Sequence, residues 1–212
     1  MNVAVLVSGS GTNLQALIDR AQRGELGPAQ LVAVGCNVPD CPALARAKLA
    51  ALPTFVVDHR DYSDRGAFDR ALVTSLRSHQ ADLVVLAGFN RVLGKDLLDA
   101  FPGRVINIHP ALLPAFPGVK AQRQAFEAGV KIAGCTIHFV DHGVDTGPII
   151  AQAAVPVMDD DDDEDLRVRI LAEEHRLLPV VVRAIAERRV VLEGRRVRVL
   201  GVTPGTEPLR SL

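Results

Sequence analysis

The sequence contains no tryptophan, one tyrosine and seven phenylalanines in 212 residues. With 48% of residues hydrophobic, its core must be built from Val, Leu, Ile and Ala, and the length allows one domain of ordinary to large size. Excess charge is also missing. A formal net charge of -1 gives no electrostatic case for nucleic acid or an anionic membrane surface. No apolar run approaches the roughly 20 residues needed to span a bilayer. Met1 to Val7 carries no basic leader and runs straight into Ser8 and Gly9, as a strand would and a signal peptide would not. The three cysteines (Cys36, Cys41, Cys135) lack zinc-like pairing, which suits reduced thiols in a cytoplasm. Repeats and an interdomain linker are absent.

What is present is alternation. Asn2 to Val7 is a continuous apolar run, as expected of a strand buried on both faces of a parallel sheet. The turn Ser8-Gly9-Ser10-Gly11-Thr12-Asn13 follows, and then Leu14, Leu17, Ile18 and Ala21 mark one helix face. Strand, glycine-rich turn and helix make an anion cradle, with Thr12 and Asn13 near the positive helix end. A plain tight turn with an N-cap is the competing reading. The turn is neither a dinucleotide fingerprint, which needs a third glycine, nor a Walker loop, which needs a following Lys.

Further strands are predicted at Leu31–Cys36, Thr54–Val57 and Leu83–Leu86, with helices over Pro42–Ala51, Ser63–Ser78 (stripe Phe68, Leu72, Leu76) and Lys95–Ala100. After a helix over Gln122–Ala128 come two longer strands, Ile132–Val140 and Ile149–Val157. A long helix over Glu164–Arg189, striped by Leu166, Ile170, Leu177, Val181 and Ile185, leads into a hairpin of Val190–Leu192 and Arg196–Leu200. The acidic run Asp159–Asp165 reads as a solvated loop whose carboxylates favour the start of that helix. The pattern predicts a single Rossmann-like α/β domain: a mostly parallel sheet flanked by helices, a long C-terminal helix and a terminal hairpin. Residues 1–200 would form it, with 201–212 as a tail. Ligands of such sheets sit beyond the carboxyl ends of the strands.

One stretch there carries chemistry. Val105 to Ile108 is a short strand interrupted by Asn107 and followed by His109, and alternation points these two side chains the same way. Pro110, Pro114, Pro117 and Gly118 then enforce an irregular loop. Asp145 lies in the connector Asp141-His142-Gly143-Val144-Asp145-Thr146-Gly147-Pro148 and is the candidate carboxylate for His109, although a turn role alone would explain it. His109, His138 and His142 with Asp145 lack the helical spacing of a zinc motif, so no metal is expected, and His138 reads as a hydrogen-bonded core residue. Metal-free acyl chemistry fits better. Asn107 can donate to a developing oxyanion, His109 can exchange a proton near neutrality, and Asp145 would hold or charge the imidazole. No serine or cysteine stands in a nucleophile elbow, so a substrate amine is the expected acceptor.

These blocks, with Ser8-Gly-Ser-Gly-Thr-Asn-Leu-Gln-Ala-Leu-Ile, Val85-Leu-Ala-Gly-Phe, Ile106-Asn-Ile-His-Pro-Ala-Leu-Leu-Pro and Asp141-His-Gly-Val-Asp-Thr-Gly-Pro-Ile, resemble the folate-dependent formyltransferases. The resemblance runs from Met1 to about Leu200, and the Ser8–Asn13 turn points to the glycinamide ribonucleotide branch. It implies formyl transfer from 10-formyltetrahydrofolate, as co-substrate, to the amine of glycinamide ribonucleotide in purine biosynthesis, by a cytoplasmic monomer or homodimer. It maps Asn107, His109 and Asp145 onto the catalytic trio, Gly11, Thr12 and Asn13 onto phosphate contacts, and Glu174 onto the ribose. The folate pocket would use Arg65, Asn90, Arg91, Val92, Leu93, Asn107, Asp141, His142, Gly143, Val144 and Asp145, largely through backbone groups. Two positions depart from the family: Asn90 replaces a usual methionine, and Lys120–Gln122 lacks the usual histidines. A formyltetrahydrofolate deformylase, using the trio on water, and a non-catalytic nucleotide-binding module are the alternatives.

Overall fold

A computed structural model describes residues 1–201. The expected tail, 201–212, therefore lies outside the described residues apart from Gly201. The strands run in the order β3-β2-β1-β4-β5-β6-β7 in one mostly parallel seven-stranded sheet, with a separate two-stranded hairpin, β8-β9. The chain divides into two compact units, residues 1–107 and 108 onward, and the boundary falls inside β5 (Val105–His109).

In the first unit β1 (Asn2–Val7) lies between β2 (Gln30–Cys36) and β4 (Leu83–Leu86), parallel to both. Val3 to Val7 are all fully buried, so the apolar run needs no polar face. Each such side chain contributes about 1.5–3 kcal/mol of transfer free energy. Strand β3 (Thr54–Val56) extends the parallel set on one side and residues 105–107 of β5 on the other. Helix α1 spans Thr12–Gln22, α2 Pro42–Leu49, α3 Arg65–Ser78 and α4 Lys95–Ala100.

In this unit two helices are shorter than their pattern suggests. α2 stops at Leu49 rather than Ala51, because Ala51 enters the left-handed region (φ 55°) ahead of Pro53. α3 begins at Arg65 because Asp64 is its N-cap, accepting from the Ala67 N–H at 2.8 Å. A 3-10 turn at His59–Asp61 has no apolar period and was not expected.

The second unit holds α5 (Ala121–Glu127) and the antiparallel pair β6 (Ile132–Phe139) and β7 (Ile149–Pro156). Helix α6 (Asp163–Ala186) packs on both strands, and β8 (Val190–Glu193) with β9 (Arg196–Val199) follows. The acidic run supplies the start of α6. Asp162 accepts from the Glu164 and Asp165 N–H groups, and Asp165 returns the bond to the Asp162 N–H. Asp161 is gripped by both terminal nitrogens of Arg169. The helix ends at Ala186, short of the expected Arg189, because Arg188 turns left-handed (φ 59°). Of the predicted stripe, Ile185 is only half-buried while Leu166, Ile170, Leu177 and Val181 are fully inside.

All three cysteines are buried and unbridged, and burial pushes the Cys36 and Cys135 thiols up to about 12. Among the described residues no helix is long and apolar enough to cross a membrane, and no cluster of three or more His, Cys, Asp or Glu is placed to hold a metal.

Candidate active site

His109 is the last residue of β5 rather than its follower, and it is buried. Its Nδ1 lies 3.3 Å from Oδ2 of Asp145, and its Nε2 lies 2.8 Å from the Phe116 carbonyl oxygen. Both ring nitrogens therefore face acceptors, an arrangement that the doubly protonated ring satisfies at both ends. The pairing of His109 with Asp145 expected from the sequence is present.

Asp145 does more than its turn position requires. Its backbone is left-handed (φ 54°). Oδ2 also accepts from the Gly118 N–H at 2.7 Å, and Oδ1 lies 3.6 Å from Nε2 of His138. The other nitrogen of His138 is 2.8 Å from the Phe139 carbonyl. One carboxylate thus serves two imidazoles. Burial works against its charged form, but the His138 side chain, the Gly118 N–H and the charge of His109 together hold the Asp145 carboxyl below its usual value. The sequence reading placed His138 in the core, which is right, but missed its link to Asp145.

Two loops frame this pair. Thr136, fully buried on β6, donates to the Ala111 carbonyl at 2.6 Å and accepts from the Leu113 N–H at 3.0 Å. Gln152 on β7 donates to the Leu113 carbonyl and to the Thr136 hydroxyl. These bonds anchor the proline-rich loop at its start, and Phe116 and Gly118 then present their carbonyl and N–H to the dyad. Spacing gave no hint of Thr136 or Gln152. In the second loop the Asp141 carboxylate accepts from the Gly143 N–H and the Thr146 hydroxyl, so it organises its own turn. A Cβ at Gly147 would stand 1.7 Å from the Phe139 carbonyl oxygen, so the loop can pass there only as glycine. His142, Gly143 and Val144 are exposed at its tip. Arg195 of the terminal hairpin donates to the Thr146 carbonyl at 2.7 Å. Glu174 is buried on α6.

The first unit carries the glycine turn. Gly11 is the N-cap of α1 in the left-handed region (φ 71°), and no side chain caps the helix. Its glycine is required within the chain: a Cβ there would come 2.5 Å from the Ala43 Cβ. Helix α2 braces the turn further, through the Ala43 N–H on the Gly9 carbonyl and Arg46 on the Ser10 carbonyl. Thr12 and Asn13 open α1, Asn13 buried. Of the residues assigned to folate, Arg65, Arg91 and Val92 line one cleft of about 310 Å³ with His59, Tyr62 and Phe68, while Asn90 is exposed and Leu93 points inward. Asn107 is half-buried on β5.

The model of the formyl transferase family matches residues 1–182. The chain belongs to the formyl transferase family. It is 47% identical over 193 residues to the phosphoribosylglycinamide formyltransferase of Mycobacterium tuberculosis, covering 91% of this chain and 88% of that protein. It is similar to the crystal structure of glycinamide ribonucleotide transformylase 1 from Symbiobacterium toebii, with a TM-score of 0.92, 54% identity and 94% of each chain covered. It is also 49% identical over 178 residues to the trifunctional purine biosynthetic protein adenosine-3 of Drosophila melanogaster, a match over 84% of this chain but 13% of that protein. The chain therefore belongs among the phosphoribosylglycinamide formyltransferases of the family.

Proposed function

We propose that this formyl transferase moves the formyl group of 10-formyltetrahydrofolate to the amine of N1-(5-phospho-D-ribosyl)glycinamide, in the cytoplasm, as a step of purine biosynthesis. The observation that carries the reading is the pair of the buried His109 with Asp145, 3.3 Å apart, in a chain of this family. Residues 1–200 are the formyltransferase domain, and the enzyme acts as a monomer or homodimer.

The catalytic residues are Asn107, His109 and Asp145. The amine nitrogen attacks the formyl carbon, and its carbonyl electron pair moves onto oxygen. Asn107 donates to that oxygen, and protonated His109 donates to it with the Nε2–H that otherwise faces the Phe116 carbonyl. One proton leaves the attacking nitrogen and reaches the departing folate nitrogen as the old carbon–nitrogen bond breaks. Asp145 keeps the imidazole oriented and compensates its charge. Gly11, Thr12 and Asn13 take the phosphate at the start of α1, where no side chain caps the helix and the helix dipole favours an anion. Glu174 takes the ribose. The folate is held by Arg65, by Asn90 to Leu93 and by the Asp141–Asp145 loop, with Asn107 at its reacting end.

A phosphate cradle is unnecessary to a hydrolase that uses water. Loss of the folate formyl group should therefore require added glycinamide ribonucleotide, followed by absorbance and by assay of free formate. Rapid formate release without the ribonucleotide would replace the transferase by a deformylase. No turnover with both substrates would leave a nucleotide-binding module.

A further inference from the structure

The segment from Asn90 to Leu93 has no strand or helix of its own, yet it is fixed at both ends. It leaves β4 through Ala87, Gly88 and Phe89 and enters α4 at Gly94. At the first end the Asn90 N–H donates to the Ser8 hydroxyl at 2.8 Å. The Ser8 N–H donates to the Gly88 carbonyl at 3.0 Å, so one residue of the glycine turn holds both the start of the segment and the chain two residues before it. Because the hydroxyl oxygen accepts from Asn90, its proton is directed elsewhere, onto Oδ1 of the buried Asn37 at 2.5 Å. That bond sets the rotamer that Ser8 offers.

At the second end the Gly94 N–H donates to Oδ2 of Asp69 at 2.7 Å. Asp69 is fully buried on α3, and its other oxygen has no hydrogen-bond partner among the described residues. Burial raises the Asp69 carboxyl above its usual value against the Gly94 and Leu97 N–H groups that favour its charge, so it is a costly acceptor where a neutral one would do without that desolvation. The contact is also tight. A Cβ at Gly94 would lie 2.6 Å from Asp69 Oδ2 and 2.9 Å from Arg65 Cδ, so only glycine lets the carboxylate and the Arg65 stem close on the backbone together.

We propose that Ser8 and Asp69 are positioning residues that hold the Asn90–Leu93 backbone between two side-chain acceptors, presetting the groups it offers to the formyl folate. The inference rests on the proposed transferase activity and names what sets its folate segment. Ser8 also belongs to the phosphate turn, so the order of that turn and of the folate segment share one hydroxyl.

Steady-state kinetics on Ser8→Ala, Ser8→Thr, Asp69→Ala and Asp69→Asn would test it. Both alanine variants should raise KM for the formyl folate about tenfold, the scale of one lost hydrogen bond of about 1.4 kcal/mol. In Asp69→Ala kcat and the ribonucleotide KM should stay within about twofold, while Ser8→Ala, which also loosens the phosphate turn, should raise the ribonucleotide KM as well. Threonine and asparagine keep an oxygen acceptor and should restore most of the affinity. An unchanged folate KM in folded alanine variants, beside an active wild type, would overturn the inference alone. Should the alanine variants fail to fold, amide hydrogen exchange on the wild type decides: Asn90 and Gly94 must be protected well beyond Arg91 and Val92, and equal exchange overturns the tethers. A wild type that turns over no formyl folate would instead overturn the functional reading and the folate part of this inference with it.

Discussion

Nδ1 of His109 stands 3.3 Å from Oδ2 of Asp145, and that carboxylate is not exclusive to it. His138 approaches the other oxygen at 3.6 Å and the Gly118 N–H binds the first. Replacing Asp145 by Asn keeps the volume and suits the left-handed backbone, which Asn tolerates. It removes the one negative charge that two imidazoles share. We expect kcat to fall by roughly 10²–10⁴, the scale of a lost acid–base contribution, with ribonucleotide affinity by calorimetry nearly unchanged. A near-normal kcat would return Asp145 to the role of a turn residue.

The glycine turn calls for a particular choice of variant. Gly11→Val would not report on ligand binding, because its side chain would strike Ala43 inside the protein and its backbone is left-handed. It should destabilise the fold by about 1–3 kcal/mol, as overpacking does. At Gly9 nothing lies within 4 Å of the position a Cβ would take. Gly9→Val should therefore melt close to the wild type while raising the ribonucleotide KM about tenfold, because it blocks backbone approach to the phosphate. Unchanged affinity in that variant would take the phosphate away from this turn.

Acid stability should depend on the start of α6. Hydrogen bonds from Arg169 hold the Asp161 carboxyl down at about 2, against an ordinary value of 3.8. For a carboxyl depressed in the folded state, the stabilisation is complete above the unfolded value and is lost as the pH falls through the folded one. Wild type should exceed Asp161→Asn in urea-unfolding stability at pH 7, and the gap should close between about pH 4 and pH 2. A gap constant across that range would mean that the pair with Arg169 carries no net stabilisation.

The strands of the large sheet were legible almost to the residue, because most are apolar runs ended by glycine, proline or a polar turn. Helix ends were less so. Ala51 and Arg188 leave their helices by turning left-handed, and neither residue type announces that. The same division holds in the site. Asp145 could be paired with His109 because it is an acid in a loop already shaped by glycine and proline. Ser8 with Asn37, Thr136 with Leu113 and Gln152 with Leu113 could not be paired, since a hydrogen bond across tens of residues leaves no spacing in the sequence. Gly11 shows the opposite failure: the signal was read, but the Cβ it excludes meets Ala43 first.

The buried cysteines have a practical consequence for watching this protein at work. Burial pushes the Cys36 and Cys135 thiols up to about 12, so little thiolate forms at neutral pH, and Cys41 is shielded by burial. The native chain is therefore a silent background for maleimide chemistry. A single cysteine placed at Val119, whose side chain is 80% exposed after the proline-rich loop, would carry a fluorophore alone, without any native thiol being removed.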